Sequence, residues 1–244
     1  MCETKVINSP NGVELKNDTV VWRYMGFGKF ISLVANKELY FSRLTSLQDK
    51  EEMMLPAFNE LRKLEEWETG EGCPQDYAQK KQTCEQLAKN VFVSCWTEGD
   101  GESFAQWKIY GEAGVAIKST VARLKKSIHL RPVDPEELFV KKVEYKNLVD
   151  VIDLHNLVGA KRLAYEFEKE VRLYFNFEGV GDIRSRLGNE PVGRGLGVDL
   201  DILVDSIYVS PFVMSWMTQP VIRLLAKLGR EQLARKVVGS DIRI

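Results

Sequence analysis

Short runs of β-forming residues recur from near the start of the chain to near its end, with helix-patterned stretches between them. That alternation restricts the chain to folds in which helices cover a sheet. The runs are 19–25, 38–42, 91–96, 114–118, 139–145, 171–175 and 203–210, with one more strand starting over 195–200. Helical spacing of apolar residues marks 29–36, 76–90, 103–110 (Phe104 and Trp107 inward), 121–128, 149–167 and 216–238. Residues 49–90 differ from the rest. They are rich in Glu, Lys and Gln, carry a stripe of Phe58, Leu61, Leu64 and Trp67, and break at 70–74. They read as a two-helix insertion, and residues 1–18 read as a loose lead-in. At about 150 residues per domain, 244 residues allow one large domain or two small ones. The order of elements predicts a single α+β domain over 1–244, with a central mixed or antiparallel sheet, a helical insertion and basic C-terminal helices.

Charge and composition narrow the function classes. The chain has 34 Lys and Arg against 35 Asp and Glu, and 44% of it is hydrophobic. That balance excludes intrinsic disorder and argues against a protein that coats nucleic acid electrostatically. A local patch on Arg223, Lys227, Arg230, Arg235 and Lys236 stays open beside the plainer reading of a solvated face. No apolar run approaches the ~18 residues of a membrane span. The N-terminus lacks a signal-peptide layout, so a cytoplasmic location and no membrane partner are expected. Cys2, Cys73, Cys84 and Cys95 form no C-x-x-C pair, and the only histidines are His129 and His155. No metal site, no disulfide framework and no His-assisted nucleophile are expected.

Glu168-Lys169-Glu170-Val171-Arg172 leads into the strongest strand. On a strand, Glu168, Glu170 and Arg172 share a face. The plain reading is an exposed edge strand with an ion pair. The functional reading is a carboxylate that steadies a cationic transition state or accepts a proton. Trp22-Arg23-Tyr24 puts an arginine on the face opposite two aromatics. Glu168 or Glu170 is the expected counter-charge for Arg23, whose guanidinium would otherwise hold a phosphate. Trp96, Trp107 and Tyr110 are either core or a platform for a flat ring. Cys95 reads as a buried thiol without a base nearby. Asp49 and Glu52 suit a helix N-terminus. The segment 179–197, with Arg184, Arg186 and Arg194, reads as a loop. Its Gly193-Arg194-Gly195-Leu196-Gly197 is neither a Walker loop nor a dinucleotide fingerprint.

The order of these motifs resembles an uncharacterised prokaryotic family of unknown function. The resemblance runs through Trp22-Arg23-Tyr24, Leu39-Tyr40-Phe41-Ser42, Asp49 with Glu52, Cys95-Trp96, Glu102-Ser103, Trp107, Tyr110-Gly111 and 114–117. It continues through Tyr145, Lys161, Glu168, Glu170, Arg172 and Ser210-Pro211, and covers about 20–215. Lys50 stands where that family has proline. The opening strand–helix–strand and the late Glu-x-Glu are also similar to the ADP-ribosyltransferase fold, although the second strand lacks a Ser-Thr-Ser and the first a Tyr-His pair. That similarity implies NAD as substrate. Arg23 would contact it, and Tyr24, Tyr40, Ser42, Trp96, Trp107, Tyr110 and Arg172 would bind it. Glu168 or Glu170 would steady the ribose as nicotinamide leaves. The implied activity is transfer of ADP-ribose to a macromolecular acceptor or hydrolysis of NAD, in phage defence or toxicity. Two other readings are a non-catalytic nucleotide- or protein-binding module and a metal-dependent nuclease using Asp49, Glu52, Glu168 and Glu170.

Overall fold

The computed structural model describes residues 5–10, 12–47, 74–129, 137–146, 153–177 and 192–243. The fold is α+β, with a large mixed sheet and helices on both of its faces. The strands are β1 (Lys5–Asn8), β2 (Val20–Gly26), β3 (Glu38–Arg43), β4 (Val91–Glu98), β5 (Gly114–Thr120), β6 (Ile128–His129) and β7 (Glu137–Lys142). They continue as β8 (Glu144–Tyr145), β9 (Ala160–Lys161), β10 (Glu170–Asn176), β11 (Gly193–Val198), β12 (Ser206–Val209) and β13 (Val237–Gly239). The main sheet runs β1-β7-β10-β4-β2-β5-β12-β13, with β3, β11 and β6 branching from β4. Pairing is antiparallel except at the two ends, where β1 joins β7 and β13 joins β12 in parallel. β8 and β9 form a separate small pair.

Side-chain alternation sorts the core into layers. Val21 and Met25 of β2, Phe92 and Trp96 of β4, and Val171, Leu173 and Phe175 of β10 face one large cluster. That cluster is closed by helices α1 (Phe27–Asn36), α3 (Val121–Ser127), α5 (Leu200–Leu203) and α6 (Thr218–Lys227). The opposite face carries Val91, Val93 and Tyr174 against Cys84 and Ala88 of α2 (Pro74–Lys89) and Leu157 and Val158 of α4 (Leu154–Gly159). Farther along that face, Trp22 and Tyr24 pack with Trp107 and Ala116. Of the expected insertion, α2 is described; Asp49, Glu52 and the stripe Phe58–Trp67 lie outside the described residues.

Several sequence expectations change here. β10 is a central strand buried along Glu170–Phe175, not an exposed edge, because β4 and β7 flank it on both sides. The strand expected over 195–200 is β11; it starts at Gly193, within the expected loop, since it pairs with β3 from Gly193 to Gly197. Glycine is required at 193 because an added Cβ would run into the Tyr40 ring and the Phe41 carbonyl. The lead-in contains β1. The stretch 149–167 is broken: α4 ends at Gly159, β9 follows, and a 3₁₀ turn spans Leu163–Glu168. The C-terminal stretch likewise ends α6 at Lys227, adds the short α7 (Glu231–Ala234) and finishes in β13. Phe104 points outward, 53% exposed, and packs edge-on against Phe212.

Candidate functional site

β4 has one continuous edge and one forked edge. Its full length pairs with β10. On the other side, Thr97 and Glu98 pair with β2, whereas Phe92 and Val93 pair with β3. Ser94, Cys95 and Trp96 have no strand beside them on that edge among the described residues. β2 turns away there because its whole length is committed to β5. A cleft of about 800 Å³ opens at this fork. It is lined by Arg23, Tyr24, Tyr40, Ser42, Trp96, Tyr110, Glu168, Glu170 and Arg172. Of the side chains that the resemblance assigns to NAD, all among the described residues, Trp107 alone is absent from that lining. It sits behind the wall, fully buried and edge-on to Tyr24 with ring centroids 5.0 Å apart.

Arg23 reaches the cleft through the gap. It shares a face with Ile117, Val21 and Met25, so its side chain leaves the strand on the face opposite the one that carries Thr97 and Glu170. Its guanidinium spans the fork instead. Nη1 donates to Ser94 Oγ at 2.5 Å, Nη2 donates to the Tyr40 carbonyl at 3.1 Å, and the group lies 5.7 Å from the Trp96 ring centroid. The expected ion pair with Glu168 or Glu170 does not form among the described residues, because those carboxylates lie across the sheet and have closer cations. Burial lowers the Arg23 pKa to about 10, against an opposing effect of the Cys95 thiol.

The two glutamates close a buried ionic network. Arg172 grips Glu170 with two parallel hydrogen bonds, Nε to Oε1 at 3.0 Å and Nη2 to Oε2 at 2.8 Å. Its Nη1 donates to the Val158 carbonyl at 2.7 Å. Lys161 bonds Glu168 Oε2 and lies 3.3 Å from Glu170 Oε2, so it bridges both carboxylates. Tyr110 donates to Glu168 Oε1 at 2.9 Å, and the Glu170 backbone N–H donates to Tyr145 Oη at 2.7 Å. Burial alone would raise the Glu170 pKa. Arg172 and then Lys161 outweigh it and, with hydrogen bonds from Arg172 and Cys95, hold the carboxyl at about 2. The Tyr110 hydroxyl is pushed well up, first by burial and then by the Glu168 charge.

Glu168 is not on the strand. It ends the 3₁₀ turn, and Lys169 adopts a left-handed conformation, φ 44°, that swings the chain into β10. Glu168 therefore meets Glu170 across Lys161 rather than by strand alternation. Lys161 is a site residue that the sequence marks only as a motif position. No spacing rule ties it to the glutamates, because β9 and the 3₁₀ turn set the approach. Cys95 lies opposite Arg172 in the register, on the glutamate face.

The aromatic wall is built on residues 102–111. The Ser103 N–H donates to Tyr24 Oη at 2.8 Å, Ser103 Oγ caps the short helix Phe104–Gln106, and Trp107 Nε1 donates to Glu102 at 2.8 Å. A π-helical turn over Trp107–Gly111 then aims Tyr110 at Glu168. Such turns occur often at functional sites. Gly111 allows it: a Cβ there would stand 2.7 Å from Trp107 Cε3. Burial raises the Tyr24 hydroxyl to about 12, partly offset by the Ser103 N–H.

Other expectations fall away from the cleft. Arg194 stacks over Phe177 at 4.1 Å, and Arg184 and Arg186 lie outside the described residues. Lys236 leaves the proposed basic patch by capping the Asp201 and Val204 carbonyls at 2.9 and 2.6 Å. No helix among the described residues is long and apolar enough to cross a membrane. No protein-family model matches the chain, and neither a curated protein nor a solved structure matches it.

Proposed function

We propose that the cleft binds NAD and that the protein is an ADP-ribosyltransferase-like enzyme acting on the nicotinamide–ribose bond. One observation carries this reading: Arg23, Tyr40, Ser42 and the two glutamates, far apart in the chain, line a single cleft. Its volume, about 800 Å³, is in the range of small-ligand sites. Arg23 and the exposed Lys29 at the start of α1 give the cleft a cationic lobe suited to a diphosphate. The glutamates supply the opposite charge. In the proposed reaction nicotinamide leaves with the electron pair of its bond to the ribose C1′. Glu170, anionic throughout the neutral range, steadies the oxocarbenium-like ribose. Water or an acceptor nucleophile then bonds to C1′ and releases a proton. Such chemistry suits a role in phage defence or toxicity through NAD depletion or target modification.

The test is NAD consumption by the purified protein, with Glu168→Gln and Glu170→Gln as controls whose folding is checked by circular dichroism. Consumption by wild type that a folded variant lacks supports the reading. No consumption, together with no thermal shift on adding NAD, overturns it.

The binding-module reading has its own support. Lys161 and Arg172 pair with Glu168 and Glu170, two cations against two carboxylates, and structural networks have that character. A thermal shift with NAD that survives Glu170→Gln, without turnover in wild type, favours it. The nuclease reading is weaker on charge grounds. A divalent cation at Glu168 and Glu170 must displace Lys161 and Arg172 from the same oxygens. DNA or RNA cleavage that chelator abolishes and Mg²⁺ restores would favour it.

A further inference from the structure

Gln106 is the one polar residue of the cleft wall with an atom that the folded chain leaves unsatisfied among the described residues. The residue is 2% exposed and lines the cleft. Its Nε2 is buried without a hydrogen-bond partner. Leaving a buried amide unpaired destabilises a fold, and an apolar side chain of the same shape would not incur that loss. The surrounding turn is not loose. The chain on either side of Gln106 is pinned by Ser103 to Tyr24 and by Trp107 to Glu102, and its own N–H is capped by Ser103 Oγ. The amide is thus held by a fixed backbone, four residues before the Tyr110 that bonds Glu168.

We infer that Gln106 is a specificity residue that reads a planar edge of the ligand carrying a donor beside an acceptor. A primary amide offers the same pair of groups in one plane, and a half-turn about its last bond exchanges them. It therefore complements either a carboxamide or the amino edge of adenine. Tyr110 lines the same cleft and is 43% exposed, so it offers an aromatic surface to a flat ring. This assignment rests on the nucleotide reading above. NAD carries both chemistries, adenine at one end and the nicotinamide carboxamide at the other.

The experiment is calorimetric titration of the full chain with AMP and with nicotinamide mononucleotide, for wild type, Gln106→Leu and Gln106→Met. Both substitutions are close to the natural volume and remove the unpaired amide, so each variant is expected to melt at or above the wild-type temperature. A loss of about tenfold or more in affinity for one of the two probes supports the assignment and names the end that Gln106 reads. Wild-type affinity kept within about twofold for both probes in both variants overturns the assignment while leaving the nucleotide reading intact. Failure of wild type to bind either probe overturns the nucleotide reading and this assignment together.

Discussion

Glu170 shows how a buried carboxylate acquires a fixed charge. Its folded pKa, about 2, lies below the ordinary 4.5 because Arg172 and Lys161 outweigh desolvation. A depressed carboxyl contributes stability that is fully present above the unfolded pKa and is lost as pH falls through the folded one. Urea midpoints are therefore expected to fall between pH 4.5 and 2, by on the order of 3 kcal/mol from this group. The same titration of Glu170→Gln should be flatter. At pH 7 that variant leaves Arg172 buried with its ion pair to Glu170 gone, and a loss of about 3 kcal/mol is expected in urea. Combining it with Arg172→Met should cost less than the sum of the two single changes, because each single change leaves the other residue buried with their shared ion pair gone. The shared face of Glu170 and Arg172 was legible from strand alternation. The same rule mis-set Glu168, because the left-handed Lys169 breaks the strand before it reaches that residue.

The forked edge of β4 and the π-helical turn are the two elements that shape the cleft. Arg23 ties the fork by reaching β4 through Ser94 and β3 through the Tyr40 carbonyl. Lysine keeps the charge but cannot span two acceptors in one plane. Arg23→Lys is therefore expected to lower stability by about 1–3 kcal/mol in denaturant. It should also speed amide exchange in β3 relative to β5. At the π turn, Gly111→Ala places a methyl 3.4 Å from Tyr24 Cβ and closer still to Trp107. The expected result is a loss of about 1–3 kcal/mol and a changed near-ultraviolet circular dichroism spectrum as Trp107 shifts. The periodicity of 103–110 announced a helix with Trp107 inward. The wider π turn was not legible, because it answers to the packing of Trp107 on Tyr24 and to the Tyr110–Glu168 bond, both distant in sequence.

At the scale of the molecule, the two end segments protect the sheet's outer edges. β1 covers β7, and β13 covers β12. The C-terminal segment also reaches the cleft wall. Ser240 Oγ and the Asp241 N–H both bond Glu102, the carboxylate that holds Trp107. Deleting residues 237–244 should expose β12 and release Glu102 together. The expected outcome is a lower melting temperature with faster aggregation on heating, read by light scattering alongside calorimetry.

By itself the sequence determined the α+β class, because β-rich runs and helical spacing are local signals that survive whatever the partners are. It also determined which side chains share a face on β2 and β10, since a two-residue repeat follows from backbone geometry alone. Only the tertiary structure decided that β10 is central, that the glycine-rich 193–197 pairs with β3, and that Lys161 meets two glutamates. The first two outcomes rest on strand order and register, set by contacts between residues tens of positions apart; the third is closer in sequence, seven and nine positions, but depends on how β9 and the 3₁₀ turn bring the chain back on itself. Neither Gln106 nor the fork had a sequence signature. An unpaired amide and an unpaired stretch of edge exist only relative to neighbours that the fold brings, or fails to bring, alongside.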